Sequence, residues 1–198
     1  MDRPVWFPVA LADIFFRPQK VFSALRQDRQ PPGFMLFAAV LLIAGAAGRT
    51  LTGIKSLDPP PSVASMLDEP ALPVFLFFAH VAVFIITWYA GSWLIGKLVP
   101  PFGGTTNRQS LWKLIVIAYT PFMLAQPLTA LPGPGHWAGF AALVYTVILF
   151  AWGAGYLGII PRKKITGFTL LAFFILLGIS FILTNFISRI FVGLYIFT

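Results

Sequence analysis

The stretch Leu114–Pro161, LIVIAYTPFMLAQPLTALPGPGHWAGFAALVYTVILFAWGAGYLGIIP, holds no charged residue and decides the fold. A helix crosses a hydrocarbon core about 30 Å thick with about 20 apolar residues, so this stretch is long enough for two crossings. Between them lies Leu131-Pro-Gly-Pro-Gly-His136, whose prolines and glycines do not continue a helix. The stretch therefore predicts two membrane-spanning helices joined by a tight turn.

Three further uncharged runs, Gln30–Gly48, Pro70–Gly96 and Ile165–Ser188, each have room for one crossing. The predicted fold class is an all-α membrane protein, a bundle of five transmembrane helices in a single membrane domain over residues 1–198. The spans are predicted at about residues 33–50, 72–95, 112–131, 137–159 and 165–188, with a cytoplasmic or interfacial segment at 1–30 and an outer loop at 50–71.

The composition supports this fold class. Of the 198 residues, 58% are hydrophobic and 10% are charged, and the mean hydropathy is +0.85. Soluble domains carry about 25% charged residues, so the composition excludes a soluble enzyme or a disordered chain. Cysteine is absent, which excludes disulfides, thiolate metal sites and cysteine nucleophiles.

The lysines and arginines predict the orientation, because these residues collect in cytoplasmic loops. Most of the 14 fall in the N-terminal segment and in the loops after the second and fourth spans, which share one side of a five-span bundle. The other side holds Arg49, Lys55 and Arg189. We expect a cytoplasmic N-terminus and an outside C-terminus. The net charge of +8 then faces anionic membrane lipid, and nucleic acid is not expected as a partner.

The segment before the first span has the pattern of an interfacial amphipathic helix. Pro18 suits the first turn of a helix that runs to about Arg26, since its missing N–H has no partner to lose there. Val21, Phe22 and Leu25 would share one face of this helix. A plain cytoplasmic tail is the alternative.

The distribution of ionisable residues argues against chemistry within the membrane. No Asp or Glu occurs from Pro70 to Thr198, and His80 is the one ionisable side chain that we place within the spans. No zinc-protease motif, G-x-S-x-G motif or phosphate-binding glycine loop is present. We therefore predict no enzyme activity, no catalytic residue, no metal and no cofactor. His80 is expected to be neutral and hydrogen-bonded to a neighbouring helix.

A small set of residues could line a polar cleft or could join helices by hydrogen bonds. Its members fall in the second, third and fifth spans, where Pro121 should kink the third span. The set is His80, Thr87, Tyr119, Pro121, Gln126 and Asn185.

Small residues at four-residue spacing indicate close helix packing, within one chain or between copies. Three such pairs occur in the first, second and fourth spans. They are Ala44 and Gly48, Ser92 and Gly96, and Ala154 and Gly158.

Together these features resemble the bacterial branch of the Yip family (Ypt-interacting-protein-like), which are five-span membrane proteins. The resemblance rests on Ile14-Phe-Phe-Arg-Pro-Gln-Lys-Val-Phe22 with Pro18, on Gly103-Gly104 after the second span, and on Ala118-Tyr119-Thr120-Pro121. It implies location in a bacterial inner membrane as a multi-pass protein, with a periplasmic C-terminus. Bacterial relatives are largely of undefined function. The long polar cytoplasmic extension expected of GTPase-linked eukaryotic relatives is absent, so GTPase binding is not carried over.

Two functions are compatible with the sequence. The first is a non-catalytic membrane protein that forms a homo-oligomer or joins other integral membrane proteins as an accessory or scaffold subunit. The second is a pathway for a small solute, an ion or a lipid through the kinked third span, with Tyr119 and Gln126 as its polar lining. Membrane lipids are partners in either case.

Overall fold

The computed structural model describes residues 7–26, 33–56, 71–105, 108–131 and 133–196, and in these ranges the chain forms helices and no strand. The helices are α1 (Phe7–Phe16), α2 (Pro18–Arg26), α3 (Phe34–Ser56), α4 (Ala71–Leu98), α5 (Arg108–Thr129), α6 (Pro134–Tyr156) and α7 (Ile165–Ile196), with a short 3-10 helix at Arg162–Lys164. Five of the described helices, α3 to α7, are long and apolar enough to cross a membrane. The prediction of an all-α five-span membrane protein is confirmed.

Helix α5 lies at the centre of the bundle. It packs against α3, α4 and α6, while α7 lies on the far side against α4 and α6. In an 18-residue window of α5, 72% of the residues are buried, compared with 11% in α7. Helix α5 is also the least hydrophobic of the five and α7 the most. A helix surrounded by protein can carry polar groups that its neighbours satisfy, whereas a helix that faces lipid must be apolar.

The N-terminal helices pack onto the bundle. The predicted helix is confirmed at Pro18–Arg26, but its apolar face covers protein rather than lipid tails, because Phe22 and Leu25 are buried and α2 packs on α6. The glycine at position 153 of α6 makes room for the Phe22 ring, which a Cβ there would overlap. The Tyr145 hydroxyl lies 2.9 Å from the carbonyl oxygen of Phe15. An ion pair of 2.9 Å between Lys20 and Asp13 joins α1 to α2.

One end of the bundle, called here the basic end, carries Lys97, Arg108 and the Arg162–Lys164 helix. Two turns meet there. In the first, Gly103 has a φ of 75°, and a Cβ on Gly104 would overlap the carbonyl oxygen of Ile159 in the second turn. Glycine is therefore required at Gly103 by its positive φ and at Gly104 by the close approach of the second turn.

Two of the three predicted small-residue pairs lie in helices throughout, and the third does not. Gly48 contacts α5 so closely that a Cβ would overlap the backbone at Gln126 and Pro127. Ser92 and Ala154 are buried, Ala44 is half-buried, and Gly96 has ordinary contact distance to Leu111. At Gly158 the structure differs from the predicted helix-packing role. This glycine lies beyond the end of α6 in an exposed turn with a φ of 67°, and no atom of the described residues comes within 4 Å of a Cβ there, so it follows the end of a helix and makes no close contact with the described spans.

Candidate functional site: a polar cluster within the spans

The largest group of interacting polar side chains inside the described spans centres on Arg49 and His80. The Nδ1 of His80 on α4 lies 3.0 Å from the hydroxyl of Thr50 on α3, within hydrogen-bond distance. Both helices are spans, so this bond joins two neighbours within the membrane. His80 is half-buried.

Arg49 lies beside this pair and reaches a third helix. Its guanidinium donates a hydrogen bond of 3.2 Å to the hydroxyl of Thr184 on α7 and lies 5.9 Å from the centre of the Phe84 ring on α4. The Thr184 hydroxyl in turn donates to the carbonyl oxygen of Ser180. Residues of α3, α4 and α7 therefore converge on one cation.

The sequence predicted Arg49 on the outer side at the end of the first span, and the structure extends the helix beyond it. That assignment treated the first charge after an apolar run as the end of the span. In the structure α3 continues to Ser56, about two turns beyond Arg49. The sequence did contain a sign that the helix continues, because no proline lies between Gly48 and Ser56 and only Gly53 disfavours a helix there.

A second, smaller set of hydroxyl groups joins α3 to α5. The hydroxyls of Thr52 and Thr129 lie 3.0 Å apart, and Thr129 donates a bond of 2.7 Å to the carbonyl oxygen of Gln126. Gly48 meets the α5 backbone at the same level. The close approach of the two backbones brings the two short threonine side chains within hydrogen-bond distance.

The predicted polar residues do not all join this cluster. Tyr119 is buried on α5, with its ring centre 6.0 Å from that of Phe122. Gln126 is also buried, and its amide donates within its own helix, at 3.5 Å, to the carbonyl oxygen of Phe122. Thr87 is buried, and its hydroxyl has no hydrogen-bond partner among the described residues.

Pro121 and Asn185 complete the predicted set. Pro121 is buried inside α5, which continues through it, so the kink stays a prediction. Asn185 is exposed, and its amide donates a bond of 2.8 Å to the carbonyl oxygen of Phe181 in its own helix. Its neighbour Thr184 contacts Arg49, whereas this hydrogen bond of Asn185 stays within its own helix, so the role of Asn185 in a cleft stays a prediction.

The cluster consists of hydrogen-bond donors and neutral hydroxyls. Arginine, histidine and threonine side chains can bind an anionic or carbonyl-rich group, but they include no carboxylate base. In the described part of the chain, no three His, Cys, Asp or Glu side chains come close enough to hold a metal ion. The chemistry that this arrangement offers is recognition of an acceptor group.

Comparison with known proteins identifies one family. A family model described as the Yip1 domain matches residues 12–184. No curated protein and no solved structure matches the chain.

Proposed function

The chain belongs to the Yip1 domain family, and we propose that it is a non-catalytic membrane protein that assembles, through the lipid-facing surface of α7, with itself or with another integral membrane protein. In this role it serves as an accessory or scaffold subunit. The observation that carries the proposal is Asn185, a polar amide on the exposed surface of the most hydrophobic span.

Asn185 belongs to a stripe along one side of α7, called here the α7 stripe. It consists of Phe174, Gly178, Phe181 and Asn185. Their spacing keeps them within one face over about three turns. Phe174 and Phe181 are each 69% exposed, and no atom of the described residues lies within 4 Å of a Cβ built on Gly178. A glycine in open space between two aromatic rings is a place where a second helix can approach closely.

The side-chain amide of Asn185 favours a protein partner over lipid on this surface. One of its N–H groups bonds to Phe181, which leaves the side-chain oxygen and a second N–H for a partner. Lipid tails cannot satisfy these groups, whereas an interhelical hydrogen bond can, and in model helices such bonds contribute about 1–2 kcal/mol. Apolar packing alone does not favour a protein partner over lipid, because lipid tails are as apolar as a helix surface.

The other functional interpretation is the solute, ion or lipid pathway through α5. It would depend on Tyr119 and Gln126, which lie packed inside the bundle. The α7 stripe is exposed, and this is why assembly is the function that we propose.

We further propose a bacterial inner membrane as the location, with the basic end and the N-terminus in the cytoplasm. The basic end, with Lys97, Arg108 and Arg162–Lys164, supports this orientation through the preference of cations for the cytoplasmic side.

Assembly can be tested with two tagged copies of the chain in one membrane, extracted without detergent into native nanodiscs. We expect capture of one tag to recover the second tag or a stoichiometric membrane partner, and we expect Asn185→Leu and Phe181→Ala to reduce that recovery severalfold. Phe140→Ala is the matched control, because Phe140 is a phenylalanine of similar exposure on α6, 60% compared with 69% for Phe181. Wild-type recovery by both α7 variants would refute the proposal.

A further inference from the structure

The cluster around Arg49 holds a positive charge that the described protein does not neutralise. We propose that Arg49, Thr50, His80 and Thr184 form a binding site for a phosphate group, supplied by a phospholipid headgroup or by free phosphate. This site is separate from the α7 stripe, and it stands whether or not the chain assembles.

The depth of the charge makes it unusual. The guanidinium lies over Phe84 of α4, and a rise of about 1.5 Å per residue puts Phe84 roughly 16 Å from Pro73 and roughly 21 Å from Leu98 at the two ends of that span. On their own helices, Arg49 and Thr184 lie about one turn from the span ends at Gly53 and Ile187, so the cluster lies within the spans but close to the headgroups at that end of the bundle. An arginine within a membrane span is rare and marks a functional site by default.

The spans offer no carboxylate to balance this charge. Neither α3 nor any part of the chain from Pro70 to Thr198 contains Asp or Glu. In the described residues, Arg49 has one hydrogen bond, to a neutral hydroxyl, and one ring contact. A guanidinium carries several N–H donors in a planar fork, so most of its hydrogen-bonding capacity is available to a ligand.

The neighbouring groups fit an oxoanion. Thr50 and His80 lie 3.0 Å apart, so donors of α3 and α4 are adjacent. Thr184 of α7, whose own proton is donated to Ser180, accepts a hydrogen bond of 3.2 Å from the guanidinium and so holds it in place. Because one ring nitrogen of His80 contacts Thr50, its Nε2 can bond elsewhere. Several donors from different directions suit a tetrahedral phosphate, and arginine binds phosphate with paired, charge-assisted bonds.

The surroundings also indicate which headgroup would bind best. Arg49 and His80 are half-buried, so the site is reachable from the side of the bundle. A choline or ethanolamine headgroup needs an acceptor for its cation, and the spans contain no carboxylate. We therefore expect a headgroup with net negative charge, such as phosphatidylglycerol, to bind more tightly than phosphatidylcholine.

The test compares the purified full chain in nanodiscs of pure phosphatidylcholine, in the same discs with added inorganic phosphate, and in discs containing phosphatidylglycerol. Thermal unfolding gives the stabilisation by each ligand, and native mass spectrometry counts retained lipid. We expect phosphatidylglycerol or phosphate to stabilise the wild type, and Arg49→Gln to weaken the binding about tenfold or more, since a hydrogen bond to a charged group contributes at least about 1.5 kcal/mol. Stabilisation by phosphate in pure phosphatidylcholine identifies the free anion as the ligand. Stabilisation by phosphatidylglycerol alone identifies the lipid.

Matched variants separate this site from general charge effects. Arg162→Gln removes an exposed arginine at the basic end and should leave the binding unchanged. Thr184→Val removes one hydroxyl of the site with little change in shape, and it provides the test if Arg49→Gln does not fold. The proposal is overturned if neither ligand stabilises the wild type. It is also overturned if Arg49→Gln, or Thr184→Val in its place, binds as the wild type does, or if Arg49→Gln lowers stability equally in all three membranes.

Discussion

Replacing Gly48 by alanine should destabilise the bundle at the contact between its first and third spans. A Cβ at this position would lie 2.5 Å from the carbonyl carbon of Gln126 and would also overlap Pro127. The atoms in its way belong to the backbone of the central helix, so no side chain can rotate to make room. Apolar atoms pack at about 3.5–4.0 Å, and α3 and α5 would therefore have to separate by about 1 Å.

The size of the effect follows from two opposing terms. Forcing an extra methyl group into a packed contact costs about 1–3 kcal/mol. Because the neighbouring backbone is rigid, we expect the cost at Gly48 to be near the upper limit of this range. Alanine is a better helix former than glycine by about 1 kcal/mol, which offsets part of this cost. At Gly53 on the same helix, no atom of the described residues lies within 4 Å of a Cβ, so Gly53→Ala should gain helix propensity without a clash against those residues.

The two variants should therefore differ by about 3 kcal/mol in the free energy of unfolding. For a chain of this size, about 2–4 °C per kcal/mol converts this into a difference in melting temperature of about 6–12 °C. Thermal unfolding of both variants in the same nanodiscs measures it. Gly45→Ala gives an intermediate case, because its Cβ would meet the flexible Met123 side chain. Equal melting temperatures for the Gly48 and Gly53 variants would refute the close approach of α3 and α5.

Three further predictions concern packing, the buried amide and orientation. Phe22 is fully buried, so Phe22→Ala should destabilise the protein by about 3–5 kcal/mol in thermal unfolding, whereas Phe16→Ala at an 84% exposed position should have little effect. Gln126→Leu should lower the free energy of unfolding by less than about 1 kcal/mol, because the removed bond is long and lies within one helix. A larger loss would show that the amide joins helices, and loss of solute or lipid transport in a fully stable variant would support the pathway. Since the chain has no cysteine, Ser65→Cys should react with an impermeant thiol reagent applied outside sealed cells and Ser110→Cys should not. Labelling of the Ser110 variant would reverse the orientation.

The candidate site was only partly predictable. His80 was identifiable because a histidine in an otherwise apolar run is rare, and its contact with Thr50 joins two spans. Arg49 was missed because a charge was read as the end of a helix. Its placement depends on Phe84 and Thr184, which come from two other spans far along the chain. No local pattern around Arg49 contains that information.

For two adjacent polar residues on α7, the sequence also did not show which one contacts the bundle. Thr184 contacts Arg49, while Asn185 faces outward, although both lie in an equally apolar context. In a soluble helix, polar residues mark the solvent side and reveal the orientation. A membrane span is apolar on all sides, so its sequence leaves the rotation about its axis undetermined.

The sequence by itself determined the number of spans and the breaks between them, because the cost of placing charges, prolines and unpaired backbone groups in lipid acts along the chain. The turn predicted at Leu131–His136 is shorter in the structure, since α6 already begins at Pro134, where a proline fits the first turn of a helix. The tertiary structure alone decided which helix is central, which glycines carry close contacts and where Arg49 lies. Those outcomes depend on the fit between surfaces that are all apolar. The fit is set by the position of small residues such as Gly48 opposite a particular backbone, a relation between distant segments that hydropathy does not record.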